Sequence, residues 1–279
     1  MGGRVVAGIV LALVVGAAAV DGWSKVHTGH ARCVVPRLSA AVRHGGDLAV
    51  ARYHRQRRRE FAHDLMGYRD GPPLRPPSHG ERKRIRDIRS TREQFGLNAS
   101  TLLIRRLMRD RAHRDRGFGL LGIALTPLEI QTVRFEDRVQ DSIAPLDAYA
   151  AHCAADEFGG AYFFNRRAGG YVGAIFTAHL GHHVKALRAR LRYGALLRVR
   201  RGRYTLRQLN AVQRRVNRDW DSGELARQGL DVQSTGRDDQ ANRVEVGLSN
   251  PSPHAAQVLL QRYGYAVRMN PEPEHVGPA

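Results

Sequence analysis

The chain has 279 residues, 42% of them hydrophobic, and a formal net charge of +19 from 45 Lys+Arg against 26 Asp+Glu. That length holds one domain with tails or two small domains, and the hydrophobic fraction is enough for a core. Two cysteines exclude a disulfide framework, and the basic excess, nearly all arginine, points to polyanions as partners: anionic lipid, acidic wall polymer or nucleic acid.

Arg4 precedes an unbroken apolar run from Val5 to Val20, closed by Asp21 and Gly22. The run has no polar face, which argues against a buried soluble helix. It is longer than a usual signal core and a little short for a relaxed membrane span. Residues 1–22 therefore read as a signal peptide or a membrane anchor. The rest of the chain is expected either tethered at the cell membrane or extracellular, the latter if Ala17-Ala18-Ala19 supplies a cleavage site.

Residues 23–94 are rich in Arg, Gly, His and Pro, with the densest charge from Arg55 to Arg59. The Gly71-Pro72-Pro73-Leu74-Arg75-Pro76-Pro77 stretch cannot continue a helix. Leu38 to Phe61 offers only sparse apolar residues for an amphipathic helix. The expectation is a basic, largely disordered connector whose arginines touch anionic lipid or wall polymer. Nucleic acid is set aside here, because no aromatic side chains are interleaved with these charges. Cys33 and Cys153 are expected as free thiols, with a single bridge as the alternative in an oxidising compartment.

Residues 95–157 read as a helical lead-in. Asn98 is placed to cap a helix with Leu103, Ile104, Leu107 and Met108 on one face. Thr126-Pro127-Leu128-Glu129 is a helix start, with Thr126 as cap, Pro127 in the first turn and Glu129 reaching back to the Thr126 amide. Ala144 to His152 gives a further short helix. Glu129, Glu136 and Asp137 are assigned structural roles.

From Phe158 onward the same unit occurs twice, giving an α+β fold of two β-β-α-β lobes joined by a helix. The first lobe with its linker helix spans 158–228, the second spans 229–269, and 270–279 is a tail. In the first, Phe158–Phe164 and Tyr171–Phe176 are strands, His179–Leu191 is a helix and Leu196–Val199 a return strand. In the second, Leu230–Gly236 and Asn242–Leu248 form the hairpin, Pro251–Tyr263 the helix and Tyr265–Met269 the last strand. Val244, Val246 and Leu248 alternate with Arg243, Glu245 and Gly247, as a half-buried antiparallel strand requires. Between the lobes, Thr205-Leu206-Arg207-Gln208 starts a helix that ends near Trp220, expected as a buried anchor.

Phe158-Gly159-Gly160, the Gly169-Gly170 turn, Arg203-Tyr204-Thr205-Leu206-Arg207-Gln208-Leu209, Gly229-Leu230-Asp231-Val232 and Asn242-Arg243-Val244-Glu245-Val246 resemble the pro-regions of the α-lytic protease and streptogrisin class. So do Phe95-Gly96-Leu97 and Leu125-Thr126-Pro127-Leu128-Glu129 in the lead-in, which are similar to segments upstream of such lobes in exported actinobacterial proteins. The resemblance covers roughly Phe95 to Met269. It implies a protein that chaperones or inhibits a secreted serine protease, its outer lobe adding a sheet edge to a protease hairpin. Carried over, that edge falls on Tyr265, Val267 and Met269, and residues 270–279 would enter the partner's cleft. No Gly-Asp-Ser-Gly nucleophile segment occurs and the sequence stops at Ala279, so the expected role is in trans.

No G-x-S-x-G, H-E-x-x-H, Walker or C-x-x-C pattern is present. His179, His182 and His183 share a helical face, but no acid or cysteine close in sequence completes a zinc set. No catalytic residue, cofactor or metal is therefore assigned. The expected function is a non-enzymatic protein-binding module. The alternative is a cell-envelope polyanion or anionic-lipid binder using the arginine-rich connector.

Overall fold

The computed structural model describes residues 35–67, 73–109, 121–165 and 170–271. The apolar run Val5–Val20, Cys33 and residues 272–279 of the tail lie outside the described residues. The fold is α+β. Five helices precede the first strand: α1 (Ala40–Gly67), α2 (His79–Gln94), α3 (Thr101–Arg109), α4 (Pro127–Asp141) and α5 (Ala144–Cys153). The first lobe follows as β1 (Phe158–Phe164), β2 (Tyr171–Phe176), α6 (Leu180–Arg188) and β3 (Leu197–Arg201). Then come α7 (Leu206–Asp221), the single turn α8 (Glu224–Arg227), and the second lobe: β4 (Val232–Asp238), β5 (Arg243–Leu248), α9 (Pro253–Tyr263) and β6 (Val267–Pro271).

The two sheets repeat each other residue for residue. Each is three-stranded, in the order β1-β2-β3 or β4-β5-β6. The first pair is antiparallel and the second parallel, with the helix as crossover. Phe158 faces Phe176 and Val232 faces Leu248, and in both hairpins the register shifts at the next residue. Val172 pairs with Leu197 and Val244 with Val267. A one-residue bulge at the same place in both copies turns the start of each hairpin in the same direction.

The expectation of a disordered connector over 23–94 does not hold for its described part, where α1 and α2 are helices packed on the rest of the chain. What misleads is the polar character of their buried face. Val50, Tyr53 and Arg57 are buried on one side of α1. Tyr53 Oη donates to Glu136 and accepts from Gly170 N at 2.6 Å, and Arg57 pairs with Glu136 at 3.5 Å. On α2, the wholly buried Arg92 pairs with Glu129 and donates to Ala124 O at 3.0 Å. Opening such a buried pair by removing one partner costs about 3–5 kcal/mol. These arginines thus fix helices where apolar periodicity is weak. Residues 73–78, which hold most of the proline-rich stretch, are not helical.

Local capping chemistry places the other helices. Thr126 and Glu129 close a reciprocal capping box at α4, and Thr205 and Gln208 do the same at α7. At α3 the cap is Ser100, whose hydroxyl accepts from Leu103 N at 3.2 Å, while Asn98 braces the Ser100 amide at 3.0 Å. Cys153, at the end of α5, is disulfide-bonded. That corrects the expectation of two free thiols.

Each lobe has its own core. The first gathers Phe158, Val172, Ala174 and Phe176 of the sheet with Leu187 of α6, Tyr149 of α5, Phe135 of α4 and Tyr53 of α1. The second joins Val232, Val244, Val246, Leu248 and Val267 with Leu209, Val216, Leu225, Val258 and Leu259. Helix α7 touches β1 of one lobe and β4 and β5 of the other. Trp220 is not the buried anchor expected: it is 37% exposed. The end of α7 is tied instead by Asp219, which accepts from Tyr263 Oη at 2.6 Å and pairs with Arg262 at 3.0 Å.

The lobes meet at Asn242, a buried residue in the left-handed conformation (φ 55°) in the β4–β5 turn. Its Oδ1 accepts from Arg203 N and Tyr204 N, each at 2.9 Å. Its Nδ2 donates to Gly159 O at 3.0 Å and Tyr204 O at 2.9 Å. The amide's whole bonding capacity is spent joining β1, the segment after β3 and its own turn. Gly202 leaves the room: a Cβ there would lie 2.7 Å from Asn242 Oδ1 and 2.3 Å from an Ile175 methyl. Asn242→Ala leaves two N–H groups and two carbonyls without their partner, the buried Gly159 carbonyl among them, and keeps the unfavourable φ, so urea denaturation should show a loss of about 2 kcal/mol or more. A loss below about 1 kcal/mol would contradict this assignment.

Candidate functional site

Unpaired strand edges, exposed side-chain layers and clustered ionisable groups are the features of this fold that can act on another molecule. The edge comes first. Among the described residues β3 and β6 end their sheets with no strand beyond them. The two are not equivalent. On β3, Arg198, Arg200 and Arg201 are exposed, which blunts pairing with another strand. On β6 the only arginine, Arg268, is neutralised by Asp238 at 2.6 Å and Glu245 at 2.7 Å. Of these two edges, that of β6 is the one without unpaired arginines; β1 and β4 form the opposite edges of the two sheets.

The residues singled out by resemblance divide into two kinds. Val267 is buried in the second core, and Met269 packs partly against it. Tyr265, just before the strand, is 57% exposed, with the Arg203 guanidinium 5.4 Å from its ring centre. Side chains on β6 therefore hold the strand on its own lobe, and its backbone faces outward. A cavity of about 390 Å³ lined by Trp220, Ala226, Leu230 and Asp231 opens on the same lobe.

The histidine group is built differently from its sequence reading. An acid does join it: Glu157, at the entry to β1, accepts from His179 Nδ1 at 2.9 Å and from His183 Nε2 at 2.9 Å. His182 points elsewhere, its ring edge-on to His183. Because Glu157 only accepts, His183 presents an N–H from Nε2, and its Nδ1 lies 2.8 Å from Tyr149 Oη. Burial tends to raise the Glu157 pKa, but the two imidazoles outweigh it and hold the carboxyl below its usual range. His183 is buried and stacked on Phe176, with ring centres 3.9 Å apart. Tyr149 is buried as well, so the chain of bonds runs inward and braces α5 and α6 against β1. Each imidazole nitrogen facing the carboxylate is already used by it. Among the described residues no group of three or more His, Cys, Asp or Glu is arranged to hold a metal. The signal for Glu157 in the sequence was slight, since it lies far from the histidines along the chain and meets them only through the hairpin.

At the lobe junction, Asp239 of the β4–β5 turn packs over Gly160 of β1. Its side chain is 22% exposed and stands 3.4 Å from Arg237, too far for a good hydrogen bond. Burial, partly offset by Arg237, pushes its pKa up to about 6. The folded state then holds this proton more tightly than the unfolded state, so the group's contribution to stability falls as pH rises from about 4 to 6. Asp239→Asn should be more stable than the wild type at pH 7 by about 1–3 kcal/mol, and equally stable near pH 3. A stability difference that does not change with pH would contradict the assignment.

The outer layer of the first sheet was not singled out by sequence reasoning. Past the bulge, Tyr162 and Phe164 of β1 lie on the face opposite the core, with Tyr171 and Gly173 of β2 and Arg198 and Arg200 of β3. Phe164 stacks on Tyr171 at 4.9 Å, Tyr162 meets Tyr171 edge-on at 6.1 Å, and Gly173 leaves space for the Tyr162 ring. Arg198 lies over Tyr171 at 4.4 Å, and Arg200 lies 5.7 Å from the Tyr162 ring centre. No protein-family model matches this chain, and no curated protein is significantly similar to it.

Proposed function

We propose that this protein is a non-enzymatic docking module that takes a strand of another protein onto the free edge of β6, the partner being a secreted serine protease handled in trans. The observation that carries this reading is the asymmetry between the matching edges β3 and β6. The lobes are copies, yet only the β3 edge is lined with unpaired arginines, while the β6 edge keeps its single arginine neutralised. Strand addition draws its affinity from main-chain hydrogen bonds, and an edge without unpaired cations permits it. The resemblance of the paired β-β-α-β lobes to protease pro-regions supports the protease as the strand donor. A disulfide at Cys153 agrees with an oxidising compartment outside the cytoplasm.

The full chain is expected to slow hydrolysis by a secreted serine protease, or to raise the refolding yield of that protease. Asn270→Lys places a charge on the β6 edge and should weaken the association about tenfold while leaving thermal unfolding unchanged. No association with any such protease, and no change in refolding yield, would sink this reading.

A second reading, adhesion to anionic lipid or wall polymer, is favoured by one feature of α1. Arg52, Arg55 and Arg59 recur at helical spacing and, with Gln131, line one pocket of about 200 Å³. Arginines lining a common space can take a phosphate group by bidentate hydrogen bonds. Flotation with vesicles rich in anionic lipid should carry the protein at low salt, and R52Q/R55Q/R59Q should lose that binding. Equal flotation of the triple variant would remove this reading.

A further inference from the structure

The layer over the first sheet interleaves rings and cations across neighbouring strands. Its residues are Gly160, Tyr162, Phe164, Tyr171, Gly173, Ile175, Arg198 and Arg200, and none carries a carboxylate or an amide side chain. Ile175 is buried beside Gly202 and Asn242, which closes one end of the face, while the three rings at the other end are half-buried. Among the described residues neither Arg198 nor Arg200 is ion-paired, and both are exposed. They are separated by one residue on β3, about 6.6 Å along the strand. Positive charge continues onto α1, where His54 feels both Arg58 and Arg198. Burial first and these two cations next lower its pKa.

We propose that this face binds single-stranded DNA, with bases laid against Tyr162 and Phe164, Tyr171 set between Phe164 and Arg198 to hold both, and phosphates on Arg198 and Arg200. Flat rings accept any base by stacking, and guanidiniums held beside them meet the backbone that links those bases. A duplex keeps its bases stacked inside and offers only phosphates. An acidic polysaccharide lacks the flat aromatic partner that three clustered rings favour. RNA adds a 2′-hydroxyl for which stacking and phosphate contacts have no need, so DNA is the simpler occupant. Along the arginine-rich connector no aromatic residues alternate with the charges, whereas here the sheet brings the two together from β1, β2 and β3.

The test is fluorescence anisotropy of the full chain with labelled oligothymidylate of about 16 nucleotides, a length that such faces cover. Polyphosphate of matched charge and oligouridylate serve as competitors. The oligothymidylate is expected to bind, and R198Q/R200Q should lower the slope of log K against log salt by about 1.4, the share of two single-strand phosphates. Phe164→Leu should weaken binding about tenfold with the salt slope unchanged, which separates stacking from charge. R52Q/R55Q/R59Q should bind oligothymidylate as the wild type does. Absence of binding, indifference to R198Q/R200Q, or polyphosphate competing as well as DNA would overturn the proposal. Tighter binding of oligouridylate would overturn the assignment to DNA.

Discussion

The fold depends on one side-chain amide. Asn242 is a point at which two separately cored lobes are joined, because its side chain, carried by the second lobe, makes four hydrogen bonds to backbone groups of the first. Helix α7 also links the lobes, with Leu206 against the first core and Leu209 and Val216 in the second, but apolar packing is not directional. A buried amide is, since it is satisfied in only one geometry and penalises every other. The left-handed backbone at this residue is tolerable for asparagine and costly for most alternatives. Asp239, in the same turn, lies over β1, so one hairpin of the second lobe supplies both the lock and a neighbouring group that titrates near neutrality.

Polar locking of this kind recurs through the molecule. Arg57 with Glu136 and Tyr53, Arg92 with Glu129, and His183 between Tyr149 and Glu157 are buried, directional contacts at joints between elements. They explain how an arginine-rich segment with little hydrophobic periodicity folds onto the rest. They also account for the acids near helix starts: Glu129 caps α4 and neutralises Arg92 at the same time. The matching edges of the two sheets use arginine differently. The β3 edge carries cations lying over aromatic rings, and on the β6 edge the one arginine is ion-paired.

Much of this architecture is legible in the sequence, and the reason is local. The duplicated strand-strand-helix-strand order follows from alternation in segments such as Val244-Glu245-Val246, and the starts of α4 and α7 follow from Thr-x-x-Glu and Thr-x-x-Gln patterns whose partners are three residues apart. What is not legible depends on partners distant along the chain. Arg57 and Arg92 read as solvated charges until Glu136 and Glu129 fold over them. Glu157 lies in no motif with His179 and His183. The aromatic layer needs the β1 bulge, which sets Tyr162 and Phe164 on the face away from the core. Trp220 is the reverse case: a large apolar residue at the end of an amphipathic helix, predicted inside, lies at a rim because salt bridges hold that end in place.

Two lobes fixed as one rigid body present their edges and faces without rearrangement, so a partner strand or polymer meets a preformed surface and spends little of its affinity on ordering the protein. Native-state hydrogen exchange resolved by residue tests that rigidity most directly. The account predicts that amides of β2 and β5, the central strands of the two sheets, open with the same free energy and respond together to low denaturant, as one cooperative unit. Exchange of β5 at a distinctly lower opening free energy, with β2 still protected, would contradict it.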